Sequence, residues 1–188
     1  MARISTYPID TIVNTDDFVI GTDYNNLNVT KNYTIASIID LATSGGYINA
    51  AVAVGATTET TIDAINTFYS LAGTLVTSVS NLWAVGTGTA VNKIIYSGTA
   101  SQATNIISTV NIKGASGSIS VNIALFKNDT EIAGTRQTLQ TSGTTNTSVC
   151  LQTVNTLVEN DVISVKVMNT TNADNVTAEH FNITASLV

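Results

Sequence analysis

Apolar and polar positions alternate strictly over several stretches of this 188-residue chain. In "SISVNIALF", Ile119, Val121, Ile123 and Leu125 alternate with Ser118, Ser120, Asn122 and Ala124. "VISVKVM" sets Ile163, Val165 and Val167 against Ser164, Lys166 and Met168. "EHFNITASL" places Phe181, Ile183, Ala185 and Leu187 on one face. A period of two over such lengths predicts strands with one face in a core. The same reading gives strands over residues 62–71, 91–96, 105–112, 131–140 and 147–154. Between them lie turn clusters such as "KGASGS", "KNDT", "TSGTTN", "VENDV" and "TTNADN". No helical period is evident here, and no proline follows Pro8. About eight antiparallel strands within residues 59–188 predict a mainly β fold, a jelly-roll β-sandwich.

Residues 1–43 read differently. "DDFVIGTD" and "LNVTKNYTI" are short β-prone runs joined by "YNN", the pattern of a hairpin. "TIASIIDLA" then spaces Ile35, Ile38, Ile39 and Leu41 for a short amphipathic helix, with Thr34 placed to cap it. A hairpin plus two or three helical turns is marginal in water unless it packs on something else. Tyr7, Ile9, Val13, Phe18, Val19 and Ile20 are therefore expected to be covered by another chain, with the neighbouring aspartates keeping the segment soluble. Residues 44–58, "SGGYINAAVAVGATT", have no polar face. They read as a linker or neck. One possibility is a strand edge or linker packed on the main domain; the other is a tight trimer neck of small side chains.

Composition narrows the function. Hydrophobic residues make up 44% of the chain and charged residues only 11%, against roughly 25% charged in a typical soluble domain. Amides and hydroxyls supply the polarity, and such a surface pairs with a copy of itself at little desolvation cost. Net charge is −6 and the seven cations are scattered, so no basic patch for nucleic acid is expected. No apolar run approaches the roughly 18 residues of a membrane span, and a secretory leader is not expected at the N-terminus. A single cysteine, Cys150, cannot close a disulfide within the chain and reads as a small packed side chain. Folding in a reducing cytoplasm is the expectation.

Catalytic chemistry is not expected either. His180 is the one histidine, and Glu131, Glu159, Asp161 and Glu179 are not brought together by the sequence. By alternation His180 shares a face with Ala178 and Asn182, opposite Phe181. In "NTTNADN", Asn172 and Asp174 offer oxygens for a calcium ion, but a polar hairpin turn explains the same residues. No cofactor or metal is expected. Sequons at Asn28, Asn146 and Asn182 are what chance gives in a chain so rich in Asn and Thr.

Four stretches taken in order resemble the trimeric jelly rolls related to tumour necrosis factor and the complement collagen heads, in the form common on tailed-phage virions. They are "TTIDAINTFYSLAGT" (60–74), "NLWAVGTGTAVNKIIYSGTAS" (81–101), "ISVNIALFKNDTEIAGTRQT" (119–138) and "LVENDVISVKVMNTTNADNVTAEHFNITASLV" (157–188). The first stretch resembles that family's first strand. "ISTYPIDT", "DDFVIGTD" and "VTKNYTIASIIDL" resemble the N-terminal attachment modules of phage virion appendages. The resemblance implies a non-enzymatic homotrimer, a head fibre or capsid decoration protein. Residues 1–43 would anchor it to the major capsid protein or another virion protein. The alternative is a tail-associated fibre that recognises a host surface glycan. In the resembled family the last strand lies near the threefold axis. Tyr69, Trp83, Phe126, His180 and Asn182 are the trimer-interface candidates on this reading. The expected location is the virion, at the capsid surface rather than the tail.

Overall fold

A computed structural model describes residue 14 and residues 16–23, 29–35, 46–52 and 58–188. The chain divides into two compact units, Met1–Ser44 and Gly45–Val188. In the first, β1 (Phe18–Asp23) and β2 (Val29–Thr34) pair antiparallel, from Phe18 opposite Thr34 to Asp23 opposite Val29. The expected hairpin is therefore present. The expected helix over residues 35–41 lies outside the described residues apart from Ile35, as do Tyr7, Ile9 and Val13.

The second unit is an antiparallel jelly-roll β-sandwich. Its strands in chain order are β3 (Tyr47–Val52), β4 (Thr58–Thr60), β5 (Tyr69–Ser70), β6 (Leu75–Asn81), β7 (Trp83–Val85) and β8 (Lys93–Tyr96). There follow β9 (Gln102–Gly114), β10 (Ile119–Lys127), β11 (Thr130–Glu131), β12 (Gln137–Thr141), β13 (Thr147–Leu157), β14 (Val162–Asn169) and β15 (Val176–Leu187). One sheet runs β13-β9-β15-β3-β6, with β4 also on β15. The other runs β11-β10-β14-β8-β7, with β12 on β10 and β5 on β14. From β8 onward the chain crosses between the sheets at every connection except β10–β11 and β11–β12, and the last strand returns beside the first. That path defines a jelly roll.

Alternation builds the core as expected. Ile119, Val121, Ile123 and Leu125 of β10, Ile163, Val165 and Val167 of β14, and Phe181, Ile183 and Ala185 of β15 are all buried between the sheets. Each large aliphatic side chain removed from water contributes roughly 1.5–3 kcal/mol. Tyr96 is buried at the side of this core, 5.2 Å from the Trp83 ring, and its hydroxyl donates to the Ala100 carbonyl (3.1 Å). That hydroxyl lies where a Cβ on residue 98 would sit, which is why Gly98 follows two residues later.

Several boundaries differ from the sequence reading. The compact body begins at Gly45 rather than residue 59. Residues 47–52, read as part of a linker, form an interior strand between β15 and β6 and bury Ile48, Ala50 and Val52. This is the first strand of the jelly roll, so residues 60–74 are not. Within 62–71 only Tyr69–Ser70 is strand. Ile62 and Leu71 are buried, but Ile65 is exposed and Asn66 has φ 60°. The backbone there bonds to the Asn175 side chain and the Asn169 carbonyl instead of a ladder. Strands β6 and β7 were not expected. They are one run of chain that changes sheets at Leu82, whose φ is also 60°. Residues 131–140 are split by a turn at 132–136, where Gly134 takes φ 81°.

Candidate functional site

The outward face of the six-stranded sheet is built from five paired strands, with a one-residue register shift of β6 against β3 between Asn49 and Ala50. One rung across it reads Gln152, Ile107, Thr184, Asn49, Val79. A second runs Val154, Asn105, Ser186, Tyr47, Asn81. A third joins Cys150 to Thr109, then Asn182, Ala51 and Val76. In it the Thr109 amide donates to Asn182 Oδ1 at 2.8 Å. No carboxylate, ammonium or guanidinium stands on any of these rungs. Among the large apolar side chains left exposed, Tyr47, Val76, Val79 and Val154 all lie on them.

The charges are elsewhere. Lys93 and Lys166 both meet Asp129 (3.7 and 2.8 Å), Lys127 meets Asp161 (2.9 Å), and Arg136 pairs with Glu131. All of these belong to the seven-stranded sheet and its turns. The Lys166 hydrogen bond and charge, with help from Lys93, hold the Asp129 carboxyl below the usual range. The Arg136 guanidinium does the same for Glu131. On the six-stranded sheet the one ion pair among the described residues is Lys113–Glu179 (2.6 Å), beyond the end of the uncharged rungs.

That end carries a β-bulge. The register of β15 against β9 shifts between Ala178 and His180. Ala178 and Phe181 both face the core, so His180 lies opposite Ala178 and not beside it. The extra residue inverts the phase of the strand. His180 pairs with Asn111 on the outward face, where the Asn111 Oδ1 is buried without a hydrogen-bond donor among the described residues.

The five expected interface residues do not come together. His180 and Asn182 lie on the uncharged face. Trp83 is 5% exposed and belongs to the core of its own chain, against Tyr96. Tyr69 is half-buried on β5, beside Val167 of the seven-stranded sheet. Phe126 is on the other side of the sandwich, covered by Phe68 edge-on at 5.0 Å and by Lys166 at 4.6 Å. Aromatic identity pointed to these three, but aromatics are as useful in a core as in an interface. The residues that do form the face, such as Gln152, Ile107, Thr184 and Asn49, carry no distinctive chemistry. Only their shared register could have found them. Cys150 is exposed on this face, not packed.

On the N-terminal hairpin, Phe18 and Ile20 are 67% and 72% exposed, and Val19 is exposed as well. The "NTTNADN" turn is closed on itself. Asn169 Oδ1 accepts from the amides of Thr171 and Asn172, its Nδ2 donates to Asn172 Oδ1 and the Asp174 carbonyl, and Asp174 accepts from Asn172 and Ser116. Those oxygens are already used. Among the described residues no three His, Cys, Asp or Glu side chains converge to hold a metal.

No protein-family model matches the chain, and no curated protein matches it. Among solved structures it is similar to the Eiger TNF of S. frugiperda at 15% identity, covering 76% of this chain and 93% of that one, with a TM-score of 0.43. It is similar to murine APRIL at 14% identity, with 76% and 99% covered and a TM-score of 0.42. The globular domain of zebrafish complement 1qA protein is 7% identical, with 73% and 94% covered and a TM-score of 0.41.

Proposed function

We propose that this is a non-enzymatic structural protein of a phage virion, a homotrimeric head fibre or capsid decoration. The uncharged face of the six-stranded sheet carries the self-association part of this reading. Fifteen side chains in three rungs lack a charge, while four of the body's five cations are paired on the other sheet and the fifth, Lys113, pairs with Glu179 beyond the end of these rungs. Amides, hydroxyls and isolated aliphatics shed water cheaply, and a second copy offers the same groups. The number three and the virion setting rest on the sequence resemblance.

Attachment is assigned to residues 1–43. The β1–β2 hairpin leaves Phe18, Val19 and Ile20 exposed, and a two-stranded hairpin alone is marginal. A partner such as the major capsid protein covers them, by adding a strand or by packing on the apolar face. Three anchors on one trimer raise the effective concentration of the second and third, so a weak single contact gives firm attachment.

Replacing Phe18→Asp and Ile20→Asp in the full chain tests the anchor. The variant is expected to keep the wild-type mass in solution and to be missing from assembled particles imaged by electron cryo-microscopy. Normal incorporation of the variant would rule the anchor out.

A further inference from the structure

A recess of about 360 Å³ opens at the lateral edge of the sandwich, where β11 and β13 end their respective sheets. That volume lies within the range of about 300–1,000 Å³ that small-molecule sites occupy. Two rigid turns and one strand make its walls.

The first wall is the β10–β11 hairpin. Asn128 and Asp129 sit at φ 47° and 64°, both left-handed, as a two-residue type I′ loop requires. Asn128 is clamped to the body: its Nδ2 donates to Asp161 Oδ1 (2.5 Å) and its Oδ1 accepts from the Val162 amide (2.8 Å). Asp129 is held by Lys93 and Lys166. The second wall is the end of β11 and the turn at 132–136. There the buried Thr135 hydroxyl donates to the Ile132 carbonyl (2.8 Å) and accepts from the Leu125 amide (3.1 Å). The third is β13 at Asn155, an inward-facing position between the buried Leu151 and Leu157.

Asn155 is the anomaly. Its alternation partners are apolar or Thr, yet its carboxamide makes no hydrogen bond among the described residues. Thr130, across the recess, also leaves its hydroxyl free among the described residues. Ile132, largely buried in the core, and the exposed Ala133 complete the lining. Both charged side chains that reach the recess are already neutralised. Lys127 donates to the Thr156 carbonyl (2.8 Å) and pairs with Asp161 (2.9 Å), and Glu131 pairs with Arg136.

We propose that this recess binds an uncharged polyhydroxylated ligand, the end of a neutral glycan. A sugar ring presents a C–H face for Ile132 and Ala133 and neighbouring hydroxyls for Asn155, which is donor and acceptor at once, and for Thr130. Neither an anion nor a cation finds an unpaired counter-charge here. The walls are set before binding, so little ordering entropy opposes it. With no aromatic platform, single-site affinity is on the order of millimolar, and multiple copies on one particle raise it by avidity.

The test uses the full chain with labelled isoleucine and alanine methyl groups, titrated with methyl glycosides of glucose, galactose and N-acetylglucosamine, and with galacturonate and glucosamine as charged probes. At least one neutral glycoside should shift the Ile132 and Ala133 methyl signals saturably, and more strongly than either charged probe. Asn155→Ala should weaken that binding by about 3- to 10-fold, the loss of one hydrogen bond. Ala133→Met, which fills the recess from an exposed position, should abolish it. No saturable shift with any neutral glycoside, tighter binding of a charged probe, or binding unaffected by both substitutions would overturn the proposal. None of these outcomes depends on the trimer or on the virion anchor.

Discussion

Asp161 shows how much one side chain holds in a chain with few charges. It is 4% exposed, yet it satisfies the Val158 amide (2.8 Å), the Asn128 side chain and the Lys127 ammonium. Burial pushes its carboxyl upward, but the Lys127, Val158 and Asn128 hydrogen bonds together outweigh that and leave it below the usual range. A depressed folded value contributes stability that is complete above the unfolded carboxylate range, about 4, and is lost as pH falls towards the folded value. Asp129 and Glu131 shift in the same direction. Urea denaturation should therefore give a flat stability from neutral pH down to about pH 4 and a decline below it. Asp161→Asn should lose about 2–3 kcal/mol at neutral pH, because one amide oxygen cannot serve all three donors and Lys127 loses its counter-charge. Its decline in acid should be shallower than that of the wild type. An unchanged acid slope would show that Asp161 is not one of the groups responsible.

Among the elements, the β10–β11 hairpin carries the most demanding backbone. Asn128 tolerates the left-handed region and also makes two side-chain hydrogen bonds. Asn128→Ala should cost about 2 kcal/mol, and Asn128→Gly, which relieves the backbone but not the lost bonds, about 1 kcal/mol. Equal stability of the two variants in thermal or urea unfolding would mean the backbone term is negligible. The strands with unbroken alternation, β10, β14 and most of β15, were legible because each has one face in the core and one outside it. Residues 47–52 were not. "YINAAV" alternates Ile48, Ala50 and Val52 inward, but the small residues around it gave the look of a linker. Residues 62–71 failed for the opposite reason. Apolar residues recur there, but the chain crosses the sheet irregularly and buries only Ile62 and Leu71 near its ends. The bulge at His180 left no mark in the sequence, since an inserted residue in a strand shows only through its partner's register.

For the whole molecule, the sandwich has two unlike outer surfaces. The seven-stranded side holds four of the body's five ion-paired cations, and the six-stranded side presents rungs of amides, hydroxyls and aliphatics. Low charge over the whole sequence is the signal on which the proposed self-association first rested. Which face lacks charge was hidden, because Ile107, Thr184 and Asn49 come from distant parts of the chain and meet only through strand order. The most direct test is the mass of the full chain at micromolar concentration, measured by sedimentation equilibrium for the wild type and for Thr184→Lys. Thr184 stands at the centre of the uncharged face and is partly exposed, so the lysine is tolerated in a free chain. In an assembly it buries an unpaired ammonium in each copy, at a cost of about 3 kcal/mol or more apiece. The expected result is about three times 19.6 kDa for the wild type and 19.6 kDa for the variant. A monomeric wild type, or a variant that assembles as well as the wild type, would contradict the account.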